Sequence, residues 1–274
     1  MYKRLLKVCN NDAIQSKNEI RWMKEEILKR RTSDLSVVPP FDPSTLTRKE
    51  LHKLNHWISQ RQGTQTFLDL NIIVRQPVLI PRWETEEWTD NLIKTIDPKL
   101  PLKVLELCSG TGCISLALAS SLPLVSIDAI DVSKSAFVLS RLNQRRLEIP
   151  TSKLKFHLVD LYDTERMRSF TSYDLVISNP PYISPAEYQQ LDKSVKDFED
   201  SRALIANDEF GTKFYEKICS LEHLYKRGSK LVFEIGETQG ERVQQIMKSH
   251  GFLNAAVQKD LSGSDRVVSG EKSR

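Results

Sequence analysis

From residue 102 onward the chain switches regularly between two apolar patterns. Short aliphatic and β-branched runs read as strands: KVLEL (103–107), VSIDAID (125–131), LKFHLVD (154–160), YDLVISN (173–179) and KLVFEIG (230–236). Between them, apolar residues return every three or four positions, as helices require. These segments are CISLALASSL (113–122), KSAFVLSRLNQRR (134–146), TKFYEKICSLEHLY (212–225) and GERVQQIMKSH (240–250). The runs NAAVQKD (254–260) and DRVVSG (265–270) predict a terminal hairpin. Such alternation predicts an α/β fold, a mostly parallel sheet with helices on both faces and an antiparallel edge at its C-terminal end.

The first hundred residues follow another rhythm. Ile20, Met23, Ile27 and Leu28 keep helical spacing, and SVVPPFDPS (36–44) breaks it with three prolines. A second helix is expected from Thr47, with Glu50 completing a capping box and Leu51, Leu54 and Ile58 on one face. FLDLNIIVRQPVLI (67–80) predicts a pair of short strands, followed by a helix with Trp88, Leu92, Ile93 and Ile96 apolar. The expected organisation is a small helical domain over 1–62, a linker or short hairpin over 63–82, and the main domain over 83–274.

Composition narrows the picture without deciding it. Four cysteines without ligand spacing and five scattered histidines give no basis for a metal centre or disulfide framework. No apolar run is long enough for a membrane helix. A net charge of +4 is modest for a chain that must hold nucleic acid.

In a doubly wound sheet, ligands bind beyond the carboxyl ends of the strands, so chemistry is sought there. The first strand opens into Glu106 and a turn with Gly110 and Gly112 before a helix, where backbone N–H groups are free. This is neither a dinucleotide fingerprint nor a P-loop, and taken alone such a turn is more often purely structural. The second strand ends at Asp131, placed either to accept from two ribose hydroxyls or to cap the next helix. The third ends at Asp160, with the same two readings. The fourth ends in Asn179-Pro180-Pro181-Tyr182, more than any strand needs in order to stop.

In order and spacing, LELCSGTGCISLALAS, IDVSKSA, VDLYD and VISNPPYI resemble S-adenosylmethionine-dependent methyltransferases acting on planar amide or exocyclic nitrogens. VLIPRWETEEW, VKDFEDSRALIANDEFGTKFYEKI and the C-terminal FEIGETQGERV and DLSGSDRVVSG are similar to the HemK/PrmC-type glutamine-N5 methyltransferases of peptide-chain release factors. The resemblance runs from about residue 76 to the end. There are departures from the family pattern. Trp83 stands at a usual proline, Phe198-Glu199-Asp200 replaces Phe-Glu-Pro, and the stretch between Gly63 and Val74 is abbreviated. Cys108 replaces the first glycine of the turn; its backbone contacts survive provided its φ is negative.

The resemblance implies a Rossmann-like, seven-stranded class I methyltransferase sheet plus a small N-terminal helical domain that docks the substrate. It implies S-adenosyl-L-methionine as cofactor, with Cys108, Ser109, Gly110, Thr111 and Gly112 at its methionine portion. Asp131 would bind ribose, Asp160 and Leu161 would sit at the adenine side, and Asn179 would border the methyl. The implied substrate is a release factor, through the glutamine of its Gly-Gly-Gln loop.

The Asn-Pro-Pro-Tyr turn suits that chemistry. An amide nitrogen is a poor nucleophile because its lone pair is delocalised into the carbonyl. The Asn179 side-chain oxygen and the Pro180 carbonyl can each accept one of its hydrogens, fixing the nitrogen and stabilising developing positive charge. Pro180 and Pro181 add rigidity without competing donors, and Tyr182 can pack against the planar amide. No metal and no covalent intermediate are required. The runner-up is a methyltransferase acting on exocyclic amines of DNA or RNA bases. About 92 residues follow Tyr182, nearly all needed to finish the sheet, which leaves no target-recognition domain. A cofactor-binding scaffold without activity is the third reading, and the intact turn argues against it. A monomer with no membrane association and no stable nucleic-acid partner is expected. The basic opening MYKRLLKVCNN points to the mitochondrial matrix, with the cytoplasm as the alternative.

Overall fold

The computed structural model describes residues 63–191 and 193–273; the helices expected between 13 and 59 lie outside the described residues. Contacts divide the chain into Met1–Gln65 and Thr66–Arg274, and the second unit holds the whole main sheet.

A hairpin leads into it, formed by β1 (Thr64–Phe67) and β2 (Leu70–Ile73) and joined through Leu68 in the left-handed region. Phe67, Ile72, Val74 and Ile80 are buried in the core that also covers the main sheet. Helix α1 (Trp83–Thr95) comes next, with Trp83 at the first helical position, where a proline fits readily.

The main sheet is built from β3 (Leu102–Leu107), β4 (Val125–Asp131), β5 (Leu154–Leu158), β6 (Tyr173–Ser178), β7 (Tyr225–Glu234), β8 (Phe252–Lys259) and β9 (Asp265–Lys272). Its spatial order is β5-β4-β3-β6-β7-β9-β8. The first five strands of that order run parallel, and β9 pairs antiparallel with both β7 and β8. The expected antiparallel edge is present, with the last strand of the chain inserted between its two partners.

Alternation within single strands explains the layers. Val104, Leu175, Ile177 and Val232 enter one core, where they meet Trp88 and Leu92 of α1 and Ile114 and Leu118 of α2 (Cys113–Ser121). Their neighbours Leu105, Val176, Leu231 and Phe233 enter the opposite core. Successive side chains of a strand point to opposite faces, so apolar residues at consecutive positions are what a doubly covered sheet needs.

On the β4 side, α3 (Lys134–Arg146) starts at Ser133, whose hydroxyl accepts from the Ala136 N–H, and ends in Arg145 and Arg146, favourable at a helix C-terminus. Short helices α4 (Thr164–Met167), α5 (Pro185–Gln190) and α6 (Lys193–Lys196) lie in the connections. Tyr215 and Ile218 of α7 (Lys213–Cys219) and Val243 and Met247 of α8 (Gly240–Ser249) fill the second core.

The sheet order places β4 on one side of β3 and β6 on the other, so the connections leaving β3 and β6 diverge. A crevice opens at this switch point, beyond the carboxyl ends of both strands.

Candidate functional site

The crevice is a cleft open to solvent and mostly apolar in its walls. Cys108 and Gly110 from the turn after β3, Asp131 and Ser133 after β4, Asp160 and Leu161 after β5, and Asn179 and Pro181 after β6 all line it. Four strand ends that are ambiguous singly therefore share one cavity. Ser109 and Thr111 are buried and, like Gly112, are not among the lining residues. Pro180 is buried, and the Tyr182 ring packs against the second core.

The turn after β3 is tightly specified. Ser109 N–H donates to the Ile130 carbonyl at 3.0 Å and Gly112 N–H to the Ser109 carbonyl at 2.8 Å. Gly112 has φ +79°, and a Cβ there would meet the Phe156 ring at 2.6 and 2.9 Å, so only glycine fits. Gly110 has φ +56° and nothing within 4 Å of a built Cβ, leaving open space beside its backbone. Cys108 departs from expectation: its φ is +62°, not negative. It occupies the conformation a glycine would take without cost, at roughly 1–2 kcal/mol of strain. Burial pushes its thiol up to about 12, so it is no nucleophile at neutral pH.

The structure also separates the two readings of the acids. Ser133, not Asp131, caps α3. Asp131 accepts instead from the Gly110 N–H at 2.8 Å and from the Ser133 N–H at 2.8 Å, tying the glycine turn to the end of β4. Burial raises its pKa even so. Asp163, not Asp160, caps α4; Asp160 is exposed and accepts from the Tyr162 N–H at 2.8 Å.

Beneath the turn lies Glu106, fully buried, accepting from the backbone N–H and hydroxyl of Ser115. Burial pushes its pKa up to about 8. The folded state therefore holds a proton that the unfolded chain releases above about 4.5. The stabilisation from Glu106 is greatest at low pH and is lost as pH rises toward 8. Glu106→Gln keeps an acceptor and removes the titration. Its melting temperature relative to the native protein is expected to rise between about pH 5 and pH 8.5, and a constant difference would refute the assignment.

Several residues that border the site lie within the segments that carry the family resemblance but stand at no strand end of the main sheet. Val78, Leu79, Asp200, Arg202 and Phe214 line the same cleft. Arg202 pairs with Asp200 at 2.7 Å, and the Asp200 N–H donates to the Pro77 carbonyl at 2.8 Å, closing this wall. Arg82 pairs at 2.7 Å with the buried Glu199, joining the segment before α1 to the one after β6. Gln239 holds the Asn-Pro-Pro-Tyr turn: its Nε2 donates to the carbonyls of Tyr182 at 2.9 Å and Phe210 at 2.8 Å. Among the described residues no cluster of His, Cys, Asp or Glu has the geometry of a metal site.

Four strand ends meeting in one cleft at the switch point of a seven-stranded, mostly parallel sheet, with a glycine turn tied to a half-buried acid, are the architecture of a class I methyltransferase fold. Comparison with known proteins agrees. The Methyltransferase small domain family matches residues 75–198. A methyltransferase from Pyrococcus furiosus has the same fold, with TM-score 0.55 at 14% identity over 84% of this chain and all of that one. The release factor glutamine methyltransferase of Bacteroides thetaiotaomicron is 32% identical, over 80% of this chain and 77% of its own. The probable MRF1 mitochondrial N(5)-glutamine methyltransferase mtq1 of Schizosaccharomyces pombe is 35% identical, over 95% and 89%. The chain belongs to the release factor glutamine methyltransferase family.

Proposed function

We propose that the cleft binds S-adenosylmethionine and that the turn after β6 holds the glutamine side chain of a release factor for methylation at its amide nitrogen. The protein is an S-adenosylmethionine-dependent release factor glutamine methyltransferase, as its family membership carries. What supports the assignment of residues is a single observation: Gly110, Asp131, Asp160 and Asn179 line one cleft.

The cleft suits the cofactor by the chemistry of its donor set and by its shape. Open space adjoins the Gly110 backbone, where the methionine portion fits against Cys108 and Gly110, the two residues of the turn that line the cleft. The Asp131 carboxylate, fixed by two N–H donors, keeps lone pairs for ribose hydroxyls. Asp160 and Leu161 serve the adenine. When bound, the cofactor supplies an electrophilic methyl on a positively charged sulfur. Asn179 Oδ1 and the Pro180 carbonyl then accept the two amide hydrogens, holding the nitrogen in line with that methyl. As the N–C bond forms and the methyl's bond to sulfur breaks, leaving a neutral thioether, the nitrogen would gain positive charge, which the same two acceptors would stabilise until a proton leaves to solvent. Tyr182 stays a neutral phenol, because burial raises its pKa well above the ordinary value; it positions rather than titrates. The high thiol pKa of Cys108 is consistent with direct transfer.

The Gly-Gly-Gln loop is a fitting acceptor because a flexible, glycine-rich segment can enter a crevice in extended form. Methylation of a base amine is the less favoured reading, since the bacterial relative is named a release factor glutamine methyltransferase and the fission yeast relative an N(5)-glutamine methyltransferase. Transfer of label to a release factor, and not to DNA, tests this directly.

We further assign the protein to mitochondria, acting as a monomer. The fission yeast relative is named mitochondrial, and the opening residues are basic with no acid before Asp12. Among the described residues no helix is long and apolar enough to cross a membrane. A reporter fused to residues 1–30 tests the location; a diffuse cytosolic signal would count against a self-contained import signal.

A further inference from the structure

An asparagine side chain has two ends, an acceptor and a donor, and only one of them suits the role given to Asn179. Its Oδ1 must face the incoming amide, and the Nδ2 must be occupied elsewhere. Within the protein, among the described residues, the one side-chain hydrogen bond of Asn179 runs from Nδ2 to Thr85 Oγ1 at 3.4 Å. Thr85 lies in the first turn of α1, 94 positions away in sequence, and is buried.

What makes this contact directional is the group behind it. Thr85 Oγ1 donates at 2.6 Å to Glu234 Oε2, at the end of β7. Trp88 Nε1, which can only donate, reaches the same oxygen at 2.7 Å. Glu234 is buried, and its burial raises its pKa; the two donors and the nearby Arg266 guanidinium oppose that and favour the carboxylate as acceptor. A hydroxyl has one proton. With that proton committed to Glu234, Thr85 can offer Asn179 nothing but a lone pair, and a lone pair attracts Nδ2 and repels Oδ1. The opposite orientation would require Thr85 to turn its proton toward Oδ1, stripping a buried carboxylate of one of its two donors.

We infer that Thr85 and Glu234 form a one-way relay that fixes the side-chain amide of Asn179 with its oxygen toward the substrate nitrogen. Thr85 is thus a positioning residue acting through Asn179, and Glu234 sets its polarity. At 3.4 Å the last link is long, as such contacts often are without substrate, and it shortens when Oδ1 is engaged. The inference rests on Asn179 as the acceptor in the reaction described above.

The test uses the full-length protein and follows methyl transfer to a release factor, with cofactor affinity and melting temperature measured beside it. Thr85→Val keeps the volume and removes the hydroxyl. Its kcat is expected to fall about tenfold or more, with KM for the release factor and cofactor Kd within about twofold of native. Thr85→Ser restores the relay and is expected to restore kcat to within about threefold. Trp88→Phe removes the other donor to Glu234 without touching the link to Asn179, so its kcat is expected to stay near native. If Thr85→Val fails to fold, Thr85→Ala gives the same reading. Equal losses in the Thr85→Val and Trp88→Phe proteins, or failure of serine to rescue, would overturn the relay and leave a merely structural role. Native turnover in Thr85→Val with a silent Asn179→Ala overturns the relay alone. Native turnover in Asn179→Ala overturns the acceptor role on which it rests.

Discussion

Replacing Asn179 with alanine lowers methyl transfer at least ~10²-fold while leaving cofactor affinity nearly unchanged; that is the largest effect expected from a single side chain here. The scale is that of losing one preorganised polar contact to a charge-developing centre. The substitution removes the side-chain oxygen that accepts from the substrate amide, and the Pro180 carbonyl alone cannot fix the nitrogen's orientation. Cofactor affinity survives because the Cys108–Gly112 turn, Asp131 and Asp160 belong to other strand ends. The fold survives because Asn179 has one long side-chain hydrogen bond to lose, the 3.4 Å contact with Thr85. Single-turnover methyl transfer, with equilibrium cofactor binding alongside, separates these quantities. Turnover near the native rate would remove Asn179 from the chemistry.

Gly211→Ala should be nearly as damaging, although this residue lies well beyond Asn179 in the chain. Gly211 has φ +68°, and a Cβ on it would run into the Tyr182 carbonyl oxygen, with the Tyr182 carbonyl carbon at 2.9 Å and Gln239 Nε2 at 2.6 Å. A backbone neighbour cannot rotate away as a side chain can. Either the strand-end turn shifts or the 208–212 loop does. Left-handed φ costs roughly 1–2 kcal/mol and overpacking roughly 1–3 kcal/mol, giving about 3 kcal/mol of lost stability. For a domain of this size that lowers the melting temperature by about 6–12 °C. The displaced Tyr182 carbonyl would carry Asn179 with it, so kcat should fall more than about tenfold even well below the melting temperature. A variant with native melting and native kcat would show that the close approach of Gly211 to Tyr182 is not needed.

These two expectations mark what the chain discloses locally and what it does not. The strands β3, β4 and β6 and the helices α2 and α3 follow from apolar spacing, because both faces of a parallel sheet are covered and the pattern is dense. The region 212–230 is different. The spacing predicts one helix through Tyr225, yet α7 ends at Cys219, a 3₁₀ turn covers Glu222–Leu224, and Tyr225 already starts β7. Leu221, Leu224 and Tyr225 keep helix-like spacing because all three are buried in the second core, whichever backbone carries them. The polar start of β7, KRGS, reads as a loop. It is held in the strand by an irregular register, Tyr173 pairing with Tyr225 but Leu175 with Lys230, and by Ser229 Oγ donating to the Tyr173 carbonyl at 2.6 Å.

The site divides the same way. Asn179-Pro180-Pro181-Tyr182 and Asp131 are visible because each breaks a local pattern at a strand end. Cys108, for which side-chain sterics alone predict a negative φ, takes the glycine conformation, since the turn's hydrogen bonds dictate its backbone whatever side chain it carries. Thr85, Glu234 and Gln239 could not be found locally. Thr85 sits in a polar helix start, Glu234 ends an ordinary strand, and Gln239 precedes an amphipathic helix. The links Thr85–Glu234, Thr85–Asn179 and Gln239–Tyr182 span 149, 94 and 57 positions, and only the folded domain brings their ends together.

The central claim, transfer of a methyl group to the glutamine of a release factor's Gly-Gly-Gln loop, is tested most directly with labelled S-adenosylmethionine. The purified protein would be given a release factor, the same factor carrying Gln→Ala in that loop, and DNA in a parallel reaction. Label on the intact factor alone is the predicted result and locates the acceptor. Label on DNA with the factor untouched, or equal label on the Gln→Ala factor, would contradict it.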